Sequence, residues 1–289
     1  MHPDFGAWAV LVLFVLLVAL GAAALVWRIR TSDDPLHIFI LRRLNVLYAK
    51  LWHRWSSTGA DPLPSAGPVL IVSNHTSCAD PVFLQCGIHR KISYMMAREF
   101  LNLRGAGWLF KVVGIIPVNR NGRDTAATRT ALRTLTAGGV LAVFPEGRIN
   151  TNGFGLLPGR PGAAMLALHS RARVVPVCIL GGPRTGSLSG SFLKPSKVRV
   201  RYGRPIDLSP FYGQERDRKT LEALTEMFMR EIARLGGLHE GRKLEAQGSE
   251  DTPQAAPTDG PVEVPVEAAR RPHAASATEQ TFPDALSSR

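Results

Sequence analysis

The chain has 289 residues, a formal net charge of +12 and three cysteines. Three cysteines without a C-x-x-C pair exclude a disulfide framework and fit a reducing compartment. The basic excess suits an anionic lipid surface or a phosphorylated substrate; nucleic acid is not an expected partner, because no helix-turn-helix, zinc spacing or aromatic-laced RNA motif occurs.

Ala7 to Trp27 is a run of 21 residues without charge or proline. At 1.5 Å per residue it spans roughly 30 Å, the hydrocarbon thickness of a bilayer. Trp8 and Trp27 stand at its ends, and Arg28 and Arg30 follow at once. Residues 1–35 are therefore expected to be a transmembrane anchor and short linker. The positive-inside bias places the body on the cytoplasmic side of a cell inner membrane, as a single-pass protein. A cleaved signal peptide is the alternative, against which the missing basic n-region speaks. Residues 36–60 mix apolar side chains at helical spacing with Arg42, Arg43, Lys50 and Arg54. They read as an amphipathic helix lying in a lipid interface; packing against the body is the alternative, and both can hold on opposite faces.

The body, residues 61–236, opens on a buried strand, Val69 to Val72. Ser73 and Asn74 end it, His75 follows, and Asp80-Pro81 starts a helix with proline in its first turn. A histidine and an aspartate thus share a strand-to-helix turn at the carboxyl end of a strand, where open α/β folds bind ligands. A neutral imidazole takes a proton from a hydroxyl when a carboxylate on its far nitrogen holds the tautomer and orientation. This is a triad without a protein nucleophile, so the nucleophile belongs to a substrate. The plainer alternative is that His75 bonds the turn and Asp80 caps the helix. Cys78 is near enough in sequence to form a Cys–His pair, or is simply a small residue at a helix start.

Further strands are expected at Lys91–Met96, Val112–Arg120, Val140–Phe144, Val174–Ile179 and Lys197–Tyr202. Helices are expected at Asp124–Ala137, Pro161–Ser170 and Leu221–Leu235. The alternation predicts an α/β fold with a mixed, largely parallel sheet flanked by helices. Residues 237–289 hold six prolines, many alanines and scattered acids, and read as a disordered tail.

Arg120 and the run Glu146-Gly147-Arg148 also fall just after strands. Two arginines near a general base make an anion site, since guanidinium matches phosphate oxygens. Gly147 permits close backbone approach, and Glu146 accepts from a ligand hydroxyl or holds the arginines. No G-x-S-x-G elbow, Walker loop, dinucleotide fingerprint or zinc-helix motif occurs, so no metal site is expected.

Asn74-His75-Thr-Ser-Cys-Ala-Asp80, Gly114-Ile-Ile-Pro-Val-Asn-Arg120, Phe144-Pro-Glu146-Gly147-Arg148 and Val175-Pro176-Val177 together resemble the four blocks of the glycerolipid acyltransferases, the family of 1-acylglycerol-3-phosphate acyltransferase. The resemblance covers roughly residues 68 to 205. It implies the glycerol-3-phosphate acyltransferase fold and acyl transfer from acyl-CoA or acyl carrier protein, as co-substrate without a bound cofactor, to a lyso-lipid hydroxyl, with lysophosphatidate the first expectation. It implies His75 as base, Asp80 as its partner, Arg120, Glu146, Gly147 and Arg148 on the acceptor, and Val175, Pro176 and Val177 at the acyl-donor pocket. The third block departs from the family's Glu-Gly-Thr-Arg-Ser, since Arg148 comes one residue early. The acceptor therefore has alternatives: another lysophospholipid or an amino-acid lipid. A catalytically silent lipid-binding module and a thioesterase are the readings from other classes.

Overall fold

The computed structural model describes residues 35–238 apart from 60, 99–100, 102–109, 111–112, 120–123 and 153–154, together with Leu16, Leu20 and Val26. Seven strands form one sheet: β1 (Ser56–Thr58), β2 (Val69–Ser73), β3 (Ile92–Ala97), β4 (Ile115–Val118), β5 (Val140–Val143), β6 (Arg173–Leu180) and β7 (Arg199–Tyr202). Their order is β1-β7-β6-β2-β5-β3-β4, and every neighbouring pair is parallel except the antiparallel β6 and β7. The α/β fold with a mixed, largely parallel sheet is therefore as the alternation predicted.

The central strands are unbroken apolar runs because both of their faces are covered. All five residues of β2 and all four of β5 are buried. Helices α1 (Leu36–Trp52), α2 (Asp80–Cys86), α3 (Thr125–Thr136), α4 (Gly162–Ser170), α5 (Leu188–Leu193) and α6 (Arg218–Gly236) complete the described part. Val69 and Ile71 of β2 share a core cluster with Phe83 and Leu84 of α2. α3 starts where the Asp124 carboxylate accepts the Ala127 N–H, and α6 starts where Asp217 accepts from Lys219 and Thr220. Leu224, Phe228 and Ile232 are the buried stripe of α6.

α1 has two faces. Phe39 and Ala49 are buried, and the Asn45 side chain donates to the Val82 carbonyl of α2 at 3.1 Å. Leu36, Ile40, Leu44, Leu47 and Leu51 remain exposed on the helix. The helix ends at Trp52; Arg54 has a φ of 43°, and Ser56–Thr58 leaves the helical pattern to pair with β7.

The expected membrane-spanning helix requires correction. Among the described residues, no helix is long and apolar enough to cross a membrane. The span placed at residues 7–27 lies outside them save for Leu16, Leu20 and Val26, as does the tail beyond Leu238. α1 itself is interrupted by Arg42, Arg43 and Lys50, whose charges oppose burial in hydrocarbon. The single-pass inner-membrane placement rested on that span and falls with it.

A buried histidine ties α1 to the loop that leads into β7. His53 is fully buried, with Nδ1 2.7 Å from Ser196 Oγ and Nε2 2.9 Å from the Tyr48 hydroxyl. Burial holds its pKa below the ordinary histidine value. Protons then bind the unfolded chain more readily than the folded one. This stabilising contribution is complete above about pH 6.5 and is lost as pH falls through the lower folded value. Melting temperature is expected to fall on acidification below about pH 6.5, and to fall less steeply in His53→Gln; parallel curves for the two proteins would assign the acid sensitivity elsewhere.

Candidate active site

The site is built where β2 and β5 end side by side, Val72 paired with Val143 in parallel register. After Ser73 the chain leaves the sheet, and Asn74 anchors the departure. Its side-chain amide donates to the Ile179 carbonyl at 2.8 Å and its oxygen accepts the Ile179 N–H at 2.7 Å. Asn74 thus replaces one ladder step between β2 and β6. Asn74→Ala is expected to cost about 2–4 kcal/mol, because it strands two buried backbone groups. Chemical denaturation checks this, and a change below 1 kcal/mol would mean that water takes the amide's place.

His75 comes next. Its Nδ1 lies 2.9 Å from Asp80 Oδ2. Asp80 has a fully buried side chain, while that of His75 is 17% exposed. The carboxylate also accepts the N–H of Thr76 at 2.6 Å, the N–H of Ser77 at 2.9 Å and the Thr76 hydroxyl at 3.2 Å. Asp80 therefore closes the turn and orients the imidazole together. It is not the N-cap of α2; that position is Ala79, without a side-chain cap bond.

The second support comes from β5. Phe144 stacks on the imidazole, with ring centroids 4.0 Å apart and planes 10° from parallel. Glu146 is 2% exposed. Its Oε1 accepts the His75 N–H at 2.8 Å and its Oε2 the Leu157 N–H at 2.8 Å. Burial pushes this carboxyl above its ordinary range, and the two amides pull it partly back. The Asn150 N–H closes the frame on the His75 carbonyl at 2.7 Å. The imidazole is thus held by a carboxylate, a ring face and its own backbone. Among the described residues no side chain hydrogen-bonds Nε2, which is the nitrogen left for a substrate.

Other sequence-predicted residues are placed as follows. Arg148 is exposed beside Gly147, whose φ is +70°. Arg120 lies outside the described residues. Val175, Pro176 and Val177 are buried in the middle of β6, paired with Ile71, Val72 and Ser73, so they back the site from within the sheet. The apolar cavity lies elsewhere. It holds about 390 Å³ between α1 and α2, lined by Ile38, Leu41, Leu44, Val82 and Tyr94, and it touches Pro81 beside Asp80. Burial pushes the thiols of Cys86 and Cys178 up to about 12, which leaves both inert as nucleophiles. Among the described residues no group of three or more His, Cys, Asp or Glu side chains is arranged to hold a metal.

Three residues were given no role by sequence reasoning. Asn74 and Phe144 head the first and third blocks and end their strands, but nothing local announced the bridge to Ile179 or the ring stack. Arg160, twelve residues beyond Arg148, carried no signal at all, yet its side chain lies across Gly147.

A family model described as Acyltransferase matches residues 54–180. A 1-acyl-sn-glycerol-3-phosphate acyltransferase of Bacillus subtilis is 25% identical over 174 residues, covering 60% of this chain and 83% of its own length. An uncharacterized protein of Mycobacterium leprae is 29% identical over 227 residues, covering 64% of this chain. The chain spans only 59% of that relative's length. The crystal structure of a 1-acyl-sn-glycerophosphate acyltransferase from Thermotoga maritima shares the fold, with a TM-score of 0.54, 21% identity, and coverage of 80% of this chain and 91% of that one. The matched stretch, residues 54–180, contains the His75–Asp80 turn, Phe144, Glu146 and β6, and it is an acyltransferase domain similar to those of the glycerolipid acyltransferases.

Proposed function

We propose that the protein moves a fatty acyl group from the thioester of acyl-CoA or acyl carrier protein to the free hydroxyl of 1-acylglycerol-3-phosphate, giving phosphatidate. The observation that carries this reading is the imidazole of His75. It is oriented by Asp80 on one nitrogen, and among the described residues no side chain hydrogen-bonds the other. His75 Nε2 takes the proton of the acceptor hydroxyl as that oxygen attacks the thioester carbonyl. The C–S bond then breaks, and the departing thiolate takes the proton back from the imidazolium. Arg120 and Arg148 hold the acceptor phosphate, and Glu146 positions the turn that presents His75. Val175, Pro176 and Val177 support the donor side from beneath. The apolar cavity between α1 and α2 takes the acyl chain, and its size is in the range of small-ligand sites. The exposed leucines of α1 rest against a lipid surface without crossing it.

The test offers purified protein radiolabelled acyl-CoA with lysophosphatidate and, separately, with neutral and zwitterionic lyso-lipids. Labelled phosphatidate is the expected product. Transfer only to another lyso-lipid would keep the mechanism and change the acceptor. Free fatty acid released without acceptor would make the protein a thioesterase. Absence of transfer from both acyl-CoA and acyl carrier protein would leave the silent lipid-binding module.

A further inference from the structure

Gly147 sits between Glu146, which carries the backbone of His75, and Arg148. A Cβ built on Gly147 would lie 2.8 Å from Nε, 2.9 Å from Cδ and 3.2 Å from Cζ of Arg160. These separations are below van der Waals contact, so the glycine leaves the space that the guanidinium end occupies. The backbone of Arg160 is fixed as well, its N–H donating to the Pro145 carbonyl at 2.8 Å. Both Arg148 and Arg160 are exposed. Among the described residues neither has a carboxylate partner, and the one acid in the turn, Glu146, is buried with both oxygens on backbone amides. Two residues beyond Arg160, α4 begins without a side-chain cap and without an acid in its first turn. The positive end of that helix adds to the same field.

We propose that Arg160 is a third cation of the acceptor site, beside the Arg120 and Arg148 of the proposed function, and that it strengthens the preference for a phosphate monoester over a phosphodiester head group. This deepens the acyl-transfer reading and rests on it. A phosphate monoester carries close to two negative charges at neutral pH, and a phosphodiester carries one. A single arginine pairs with either. Each further arginine at the phosphate gains more from a dianion than from a diester's single charge, so adding Arg160 widens the difference between the two head groups. Arg160 also answers the early placement of Arg148, since its guanidinium reaches the turn from the neighbouring loop.

The experiment compares the parent with Arg160→Gln and Arg160→Lys. Acceptors are lysophosphatidate and a lyso-glycerolipid with a phosphodiester head group, at saturating acyl donor. Arg160→Gln is expected to raise KM for lysophosphatidate about 10- to 100-fold, the range of a lost charge-assisted contact. The donor KM stays unchanged, the preference for monoester over diester shrinks, and Arg160→Lys recovers part of both. Unchanged acceptor KM in Arg160→Gln would overturn the proposal, as would a fall in kcat alone. Calorimetric binding of glycerol 3-phosphate separates this inference from the function. Binding that is lost in Arg160→Gln, in a parent that transfers no acyl group, would retain the anion site and end the acyl-transfer reading. Transfer to lysophosphatidate that is indifferent to Arg160 would do the reverse.

Discussion

His75→Ala is expected to lower kcat by about 10²- to 10⁴-fold, the contribution of a positioned general base, and to leave the fold in place. The imidazole makes one side-chain hydrogen bond, to Asp80 Oδ2, and that oxygen keeps the N–H groups of Thr76 and Ser77 when the ring is removed. The ring's stack on Phe144 is also lost, at a cost of about 1 kcal/mol. Melting temperature should therefore move by a few degrees while turnover nearly disappears. Turnover near that of the parent would end the base assignment. Collapse of the fold would show that His75 is structural, which the plainer reading of the turn requires.

Asp80→Asn is expected to damage both properties. The fully buried carboxylate accepts from the imidazole, two backbone amides and a hydroxyl. Asparagine has one acceptor oxygen and presents its amide hydrogens to groups that are themselves donors. Leaving one or two buried N–H groups unpaired costs about 1–3 kcal/mol each. The imidazole loses its orientation and the charge that stabilises its protonated form, a loss of about 10³-fold or more in turnover. The contrast is the diagnostic: His75→Ala moves kcat with little change in unfolding free energy, and Asp80→Asn moves both. Thermal unfolding and steady-state rates on the two variants decide it. Unaltered stability in Asp80→Asn would mean that the turn does not depend on its carboxylate. Unaltered turnover would remove Asp80 from the mechanism.

Both residues were legible in the chain because their relation is local. His75 and Asp80 lie five positions apart, bounded by a β-branched run on one side and an Asp-Pro helix start on the other. Those patterns need no knowledge of distant contacts. The strand runs and the α6 stripe were legible for the same reason, as periodic apolar sequence reports which faces are covered. The membrane-spanning expectation came from an uncharged apolar run and its flanking residues, and among the described residues no helix is long and apolar enough to carry it.

By itself, then, the sequence determined the alternation of strands and helices, the turn that joins a base to its carboxylate, and the placement of the charged blocks just after strands. Tertiary structure alone decided which strand ends are neighbours. β5 pairs directly with β2 although β3 and β4 intervene in the chain. Only that pairing brings Phe144 onto the imidazole and Glu146 onto the His75 amide, and only the β2–β6 contact lets Asn74 bridge to Ile179. Arg160 reaches Gly147 by the same kind of non-local packing. Apolar periodicity records that a strand is buried, but central strands of a parallel sheet carry nearly interchangeable Val, Ile and Leu. Their order is set by how the connecting helices and loops pack together.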